Sequence, residues 1–221
     1  MARPSKPLIS REATVKAALA LIDAEGLDAL SLPRLARELH VKAPSLYYHF
    51  SDKDEVLAAV ARAVVAKTVV PRKPAQPDWF PWFTQLAMNV REAVLRHRQA
   101  APILLRHMPR ELLTDIYEDA AVYLVECGVP MPLLAQILDG LEKLTLGSAI
   151  AEAMDSVSRW RFRFEHADPG RHPVLTAASD ANRLTSKQIF ERTVRSYLLG
   201  VASLGFISPV AAQDARAVPG A

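Results

Sequence analysis

Residues 30–57 read LSLPRLARELHVKAPSLYYHFSDKDEVL, a stretch in which two short apolar patterns of helical spacing are separated by a tight turn. Ser31 is suited to cap the first helix, because its hydroxyl can accept a hydrogen bond from the first helical turn. Pro44 is placed to open the second helix, in which Leu46 and Phe50 lie four residues apart on one inward face. Two short helices joined in this way predict a helix-turn-helix, whose second helix enters the major groove of DNA.

The outward face of this second helix carries side chains that are unusual on a solvent-exposed surface. With its two apolar residues turned inward, helical spacing turns two adjacent tyrosines, a serine and a histidine outward. Hydroxyl and imidazole groups can donate hydrogen bonds to phosphates, and aromatic rings can cover thymine methyl groups. The predicted DNA-facing residues are therefore Ser45, Tyr47, Tyr48 and His49, flanked by Lys42 and Lys53.

The helices on either side of this motif have recognisable ends. Ser10 predicts the N-cap of a first helix that Gly26 terminates, since glycine tolerates the positive φ found after many helices. Ser51 and Asp54 fit the Ser-x-x-Asp form of a capping box, so a fourth, longer helix is predicted to begin there. Four prolines between residues 71 and 81 then interrupt the apolar periodicity.

Beyond these prolines the periodicity predicts a second group of helices. They lie near residues 78–98, 101–107, 110–127, 131–155 and 185–204. The last one begins at a Thr-x-x-Gln capping box, Thr185 to Gln188, whereas residues 156–184 read as a long and mostly irregular segment. Eight glycines are few for a chain built from β-hairpins. The sequence therefore predicts an all-α protein.

Composition narrows the classes of protein to which the chain can belong. Of its 221 residues, 50% are hydrophobic and 23% are charged, which is typical of a globular chain. Cys127 is the single cysteine, so neither an internal disulfide nor a cysteine-rich zinc site can form. The six histidines show no metal-binding spacing, and we find neither a secretory signal nor an uncharged run that would span a bilayer. We expect a cytoplasmic protein with no membrane association, no metal and no cofactor.

Residues 8–57 resemble the DNA-binding segment of TetR-family transcriptional regulators. The resemblance is specific, because three patterns occur together at fixed spacing. They are a Leu-Ala pair at 35 and 36, a Leu-Tyr-x-His-Phe core at 46–50 and a Lys-Asp-Glu-x-Leu helix start at 53–57. The run Ala-Pro-Ser-Leu-Tyr-Tyr-His at 43–49 and the rest of the chain are most similar to the tetracycline-repressor-like branch.

The resemblance implies a set of residues at or near DNA. They are Ser31, Arg34, Lys42, Ala43, Pro44, Ser45, Tyr47, Tyr48, His49 and Lys53. The chain also departs from the family pattern, because His40 stands where the turn usually has glycine, and histidine tolerates positive φ less well. Ala43 lacks an amide that can read a base, and Pro33 replaces an arginine that can do so. The operator sequence of the branch therefore does not carry over.

The resemblance further implies a homodimer, whose twofold symmetry requires a palindromic operator. Two apolar stripes offer a four-helix interface. One consists of Leu134, Ile137, Leu138, Leu141 and Leu144, and the other of Phe190, Val194, Tyr197, Leu198, Val201 and Leu204. We favour this interface, but periodicity alone also allows both stripes to fill the core of a single subunit.

A small-molecule effector is the remaining implied partner, and the second half of the chain is rich in aromatic and methionine side chains. The candidate pocket residues are Trp82, Phe83, Leu86, Leu104, Met108, Tyr117 and Tyr123. The stretch Trp160 to Phe164 is a candidate lid. Ordinary core packing is the alternative reading, since aromatic stripes usually just pack.

The predicted organisation is therefore a helix-turn-helix domain over residues 1–53 and a helical ligand-binding and dimerisation domain over residues 54–207. Residues 54–70 form a connecting helix, and residues 208–221 form a disordered tail. The predicted function is that of a regulator without enzymatic activity, a repressor that a small molecule releases from DNA. The alternatives are an all-α enzyme or small-molecule-binding protein without DNA function, and a TetR-like activator.

Overall fold

The computed structural model of the chain describes residues 9–75, 78–155 and 166–205. Within these ranges the chain is helical and holds no strand, which confirms the predicted all-α class. The α-helices are α1 (Arg11–Glu25), α2 (Leu32–Glu38), α3 (Ala43–Tyr47), α4 (Lys53–Val65), α5 (Trp79–Arg96), α6 (Arg110–Glu126), α7 (Met131–Met154), α8 (Pro173–Ala181) and α9 (Ser186–Gly205). Two 3₁₀ helices, Leu27–Ala29 and Arg98–Leu105, lie between α1 and α2 and between α5 and α6.

Two helices near the N-terminus start at the caps that the sequence predicts. Ser10 Oγ accepts a hydrogen bond from the Ala13 amide at 3.0 Å, and Gly26 follows α1 with a φ of 86°. Ser31 Oγ accepts from the Arg34 amide at 3.3 Å. Both N-caps are confirmed, and they are predictable because donor and acceptor are separated by three residues of chain.

The start of α4 differs by one residue from the prediction. Asp52, and not Ser51, is the N-cap, since its carboxylate accepts from the Glu55 amide at 2.8 Å. The Glu55 carboxylate accepts in turn from the Ser51 amide at 2.8 Å. The side chain of Asp54, the predicted partner, is shorter than that of glutamate and reaches back less well. α4 also ends at Val65, before the predicted end of the connecting helix.

Residues 156–184, which the sequence predicts to be mostly irregular, contain α8. This helix has Pro173 in its first turn, where a missing N–H costs no hydrogen bond, and continues to Ala181. Alanine has the highest helix propensity, so the alanines of this segment favour a helix rather than a loop. The candidate lid, Trp160 to Phe164, lies outside the described residues.

The predicted capping box of α9 is confirmed. The Thr185 amide donates to Gln188 Oε1 at 2.9 Å, and the Gln188 amide donates to Thr185 Oγ1 at 3.2 Å. Such a reciprocal pair satisfies two amides that the first helical turn leaves without a partner. The predicted tail, residues 208–221, lies outside the described residues.

The chain forms two compact units. Of the described residues, the first contains 9–70, 89–115 and 148–155, and the second contains 71–75, 78–88, 116–147 and 166–205. Helices α1 to α4 thus belong to the first unit, whereas α5, α6 and α7 each contribute residues to both. The predicted boundary at residue 53 separates a DNA-binding part from a ligand-binding and dimerisation part, rather than two compact units. That boundary therefore stays a prediction.

In the first unit, α1 contacts α2 and α4, and α2 contacts α3. The side chains of Ile22, Leu35, Leu46, Phe50 and Val60 are all buried there. Leu46 and Phe50 thereby hold α3 against the unit by the inward face that their spacing predicts. The opposite face of α3 is left to solvent.

In the second unit, most residues of the two predicted interface stripes pack within one subunit. Leu134, Ile137 and Leu141 of α7 and Phe190, Val194, Leu198 and Val201 of α9 belong to one buried cluster. The last residue of the second stripe, Leu204, lies outside the described side chains. The seven buried stripe residues therefore belong to the subunit core, as the alternative states. Leu138, Leu144 and Tyr197 are only partly buried against this cluster, so a dimer interface that uses them stays a prediction. Helical periodicity marks a buried face but does not say which chain covers it.

Candidate DNA interface and effector site

Two tyrosines at the C-terminal end of α3, the helix predicted to read DNA and here called the recognition helix, point into solvent. Tyr47 is 57% exposed and Tyr48 is 84% exposed, although large aromatic side chains are usually buried. The neighbouring Leu46 and Phe50 are buried, so the predicted inward and outward faces are confirmed. Two adjacent phenol rings are therefore accessible to a partner molecule.

The other predicted DNA contacts differ in how accessible they are. Exposed residues are Ser31, Lys42 and Pro44, and partly buried residues are Arg34, Ala43, Ser45, His49 and Lys53. All of them belong to the first unit. The structure thus brings the predicted set together on α2, α3 and the start of α4.

Two of these residues already have partners within the chain. Arg34 lies 2.6 Å from Glu25 and 3.3 Å from Glu38, and the Glu25 carboxylate raises the pKa of the Arg34 guanidinium. His49 Nε2 lies 3.0 Å from the Ile9 carbonyl oxygen. A DNA contact from either side chain competes with these interactions, so both are weaker candidates than the tyrosines.

The turn between α2 and α3 uses the residue that departs from the family pattern. His40 has a φ of 53°, in the left-handed region that favours glycine. Histidine is more frequent in this region than most residues other than glycine. The turn therefore forms with histidine in place of the missing glycine.

The predicted effector residues fall into both units. Trp82, Phe83, Leu86, Tyr117 and Tyr123 belong to the second unit, whereas Leu104 and Met108 belong to the first. Of the second-unit residues, the rings at 82, 83 and 123 are buried, and the side chains at 86 and 117 are partly buried. The second unit therefore contains the aromatic part of the predicted set.

The aromatic cluster of the second unit is tightly packed. The Trp82 ring meets the Phe83 and Tyr123 rings edge to face, with centroids 4.7 Å and 5.2 Å away. Trp82 Nε1 donates to the Pro71 carbonyl at 2.9 Å, and the Tyr123 hydroxyl accepts from the Asp78 amide at 3.2 Å. Burial raises the pKa of the Tyr123 hydroxyl. These polar groups are occupied and the three rings are buried, so the cluster is apolar core with no free hydrogen-bonding group.

Helix α7 carries hydrogen-bonding groups that the sequence pattern does not single out. Thr145 is 3% exposed, and its hydroxyl has no hydrogen-bond partner. One turn earlier on the same helix, Glu142 accepts a hydrogen bond from the Tyr117 hydroxyl. A buried hydroxyl without a partner is unfavourable, so it marks a place where a ligand can supply the missing bond. No sequence pattern distinguishes this threonine from others on an apolar helix face.

A second set of charged contacts lies in the first unit. Arg91 is buried and forms a two-point ion pair with Glu152, with separations of 2.9 Å and 2.5 Å. Arg98 donates to the backbone carbonyls of Glu152 and Asp155, and so binds the end of α7. Its neighbour His97 lies 2.7 Å from the carboxylate of Asp23 in α1. Because His97 and Arg98 are adjacent in the chain, one short segment binds both helix α1 and the last turn of α7.

Among the described residues, no group of three or more histidine, cysteine, aspartate or glutamate side chains is arranged to hold a metal ion. In the same part of the chain, no helix combines the length and apolar character needed to cross a membrane. Burial raises the pKa of the Cys127 thiol, which disfavours the reactive thiolate.

Comparison with known protein families matches most of the chain. A model described as "Bacterial regulatory proteins, tetR family" matches residues 15–60. A second, described as "Tetracyclin repressor-like, C-terminal domain", matches residues 70–204. Together the two models account for both the helix-turn-helix and the helical region that follows it.

Individual relatives agree with these models. The class A tetracycline repressor protein from transposon 1721 of Escherichia coli is 32% identical over 171 residues, which cover 76% of this chain and 78% of that protein. A possible TetR family transcriptional regulator from Streptomyces coelicolor A3(2) superposes with a TM-score of 0.77 and 26% identity, covering 88% of this chain and 100% of that one. The Streptomyces coelicolor TetR family protein ActR, solved in complex with (S)-DNPA, superposes with a TM-score of 0.72 and 25% identity. The match covers 90% of this chain and 98% of that one.

Proposed function

The chain belongs to the TetR family of bacterial regulatory proteins, and from that premise we propose how its residues read DNA and sense an effector. The protein is a ligand-responsive DNA-binding transcriptional repressor that acts on operator DNA as a homodimer. Its proposed site of action is the cytoplasm, and its proposed action is binding without catalysis. The observation that carries the proposal is the exposure of Tyr47 and Tyr48 beside the buried Leu46 and Phe50.

We assign the DNA contact to the outward face of α3. Tyr47 and Tyr48 approach base edges and thymine methyl groups, while Ser45, Lys42 and Lys53 bond to phosphates on either side. Arg34 and His49 contribute less, because both are held by groups of the first unit. On this proposal the base sequence is recognised through aromatic side chains and through DNA shape. It is not read by an arginine or a side-chain amide that bonds to base edges.

We assign the effector to the second unit. The rings of Trp82, Phe83 and Tyr123 form a buried apolar cluster, and the Thr145 hydroxyl of the same unit is a buried polar group without a partner. This combination suits an aromatic effector that carries at least one hydrogen-bonding oxygen or nitrogen. The names of two relatives, tetracycline repressor and ActR with (S)-DNPA, support the choice of a small organic molecule.

The proposed mechanism is a shift between two conformations. The effector binds more tightly to the conformation whose recognition helices no longer match the operator, and so lowers the population that binds DNA. Moving the population from 1:99 to 99:1 requires a difference in effector affinity of about 10⁴-fold. Release from DNA is therefore the consequence of differential binding in the second unit.

The test of the DNA-reading role uses a duplex selected from random-sequence DNA by the full-length protein. We expect Tyr47→Ala to weaken binding of that duplex roughly tenfold to hundredfold, the usual effect of losing a base contact. Val174→Ala is the matched control, because Val174 is 81% exposed but lies in the second unit. Unchanged binding by the folded Tyr47→Ala protein contradicts the assignment of α3 as the reader.

A further inference from the structure

An ion pair encloses the turn that follows the recognition helix. Arg11 Nη1 donates to the His49 carbonyl at 2.5 Å and lies 2.8 Å from Glu55 Oε1. The same guanidinium covers the Phe50 ring, 4.2 Å from its centroid. Glu55 Oε2 accepts from the Ser51 amide at 2.8 Å and from the Ser51 hydroxyl at 3.1 Å. Three consecutive residues after α3 are therefore each held by one member of this pair.

The recognition helix depends on such external contacts. α3 has five residues, and no side chain caps its N-terminus. A helix of this length is not stable alone, because forming its first turn costs more than its few hydrogen bonds return. Its direction is then set by its packing on α2, by the buried Leu46 and by the turns at its two ends, of which the C-terminal turn carries the ion pair.

We propose that Arg11 and Glu55 are positioning residues for operator recognition. By fixing residues 49–51, the pair fixes the direction in which Tyr47 and Tyr48 leave the first unit. This inference rests on the proposed role of α3 as the DNA reader. Neither residue needs to touch DNA to fulfil the role.

A direct contact is the competing role for Arg11. Its side chain is 50% exposed and cationic, which suits a phosphate contact as well. The two roles differ in their salt dependence. Each phosphate contact releases counterions and adds about 0.9 to the slope of log affinity against log salt, whereas a positioning residue adds nothing.

The experiment compares four full-length variants with the wild type, Arg11→Lys, Arg11→Ala, Glu55→Gln and Lys16→Ala. Lys16→Ala is the matched control, because it removes an exposed cation from the same helix α1. Binding is measured over a range of salt concentrations to the selected duplex and to a scrambled duplex. Thermal unfolding of each variant is measured in parallel.

We expect both Arg11 variants and Glu55→Gln to weaken specific binding about tenfold, the effect of one mismatched base pair. The salt slope, the affinity for scrambled DNA and the unfolding midpoint should stay within the range of the control. Arg11→Lys is informative because it keeps the charge that a phosphate contact needs but loses the guanidinium that contacts both the His49 carbonyl and Glu55. Glu55→Gln is informative because removal of a negative charge near DNA would by charge alone tighten binding.

Four results would overturn the inference. They are unchanged specific affinity, a slope that falls by about 0.9 for each subunit in Arg11→Ala, tighter binding by Glu55→Gln, and an equal loss on both duplexes with a lowered midpoint. The last result would identify a general folding role. Failure to select any duplex with the wild-type protein would instead overturn the proposed function and this inference with it.

Discussion

At the scale of single residues, Thr145 differs from the other described helical threonines. Their hydroxyls donate to the backbone carbonyl four residues earlier, at 2.8–3.0 Å, as seen for Thr14, Thr84, Thr114, Thr176 and Thr193. The Thr145 hydroxyl makes no such bond, although the side chain is buried. Burial of this hydroxyl without a hydrogen bond therefore lowers the free energy of unfolding.

This cost predicts the effect of Thr145→Val on the protein without effector. Replacing the unpartnered hydroxyl by a methyl group of similar size should raise the free energy of unfolding by about 1 kcal/mol. The unfolding midpoint should then rise by roughly 2–4 °C for a chain of this size. Chemical and thermal unfolding measure both quantities.

Thr84→Val is the control, and its free energy of unfolding should change in the opposite direction. Thr84 is also buried, but its hydroxyl donates to the Phe80 carbonyl at 2.8 Å. This variant should lose stability by about 0.5–1.5 kcal/mol, because it removes a satisfied hydrogen bond. A loss of stability in Thr145→Val as well would show that its hydroxyl has a partner after all.

At the scale of elements, α7 and α9 approach each other closely at one glycine. A Cβ atom added to Gly140 would collide with the ring and hydroxyl of Tyr197. The Tyr197 hydroxyl donates to the Gln136 carbonyl at 2.5 Å, which holds the ring over this position. Glycine at 140 is therefore needed for contact between the helices rather than for backbone flexibility.

The contact predicts opposite effects for two glycines of the same helix. Gly140→Ala should lower the free energy of unfolding by about 1–3 kcal/mol, because the new methyl group overpacks the helix contact. Nothing lies within 4 Å of the position where a Cβ would stand at Gly147. Gly147→Ala should therefore raise stability by roughly 0.5–1 kcal/mol through helix propensity. Equal stability of the two variants in denaturant unfolding would contradict the assigned contact.

At the scale of the whole molecule, the protein works as a symmetric pair. Two copies of the α3 face meet two copies of the half-site, so the distance between half-sites must match the distance between recognition helices. Seven residues of the α7 and α9 stripes are buried in the core of the subunit, whereas Leu138, Leu144 and Tyr197 of the same stripes are only partly buried. The strength of operator binding thus depends on the geometry of the pair as well as on each reader.

This symmetry predicts a response to the spacing of the operator. Insertion of about 5 base pairs at the centre of the palindrome turns one half-site by roughly half a helical turn. Affinity should then fall to that of a duplex with a single half-site, as measured by fluorescence anisotropy. Substituting the central base pairs without changing the length is the control. Full affinity for the lengthened palindrome would contradict binding by a rigid symmetric dimer.

The sequence alone determined the features that depend on residues a few positions apart. The N-caps at Ser10 and Ser31, the capping box at Thr185 and the two faces of α3 follow from hydrogen bonds and burial within three or four residues. Local chemistry of this kind leaves few alternatives, because the donors and acceptors at a helix end must be satisfied nearby. The error at the start of α4 arose where two adjacent residues could both cap the helix.

Tertiary structure alone decided which distant groups meet. Arg11 meets the turn after α3, Arg34 is held by Glu25, and the stripes of α7 and α9 cover each other. Helical periodicity states that a face is buried but not against which partner, and charge patterns do not reveal which ion pairs form. Those pairings depend on how the packed helices are oriented, and on groups that lie many residues apart in the chain.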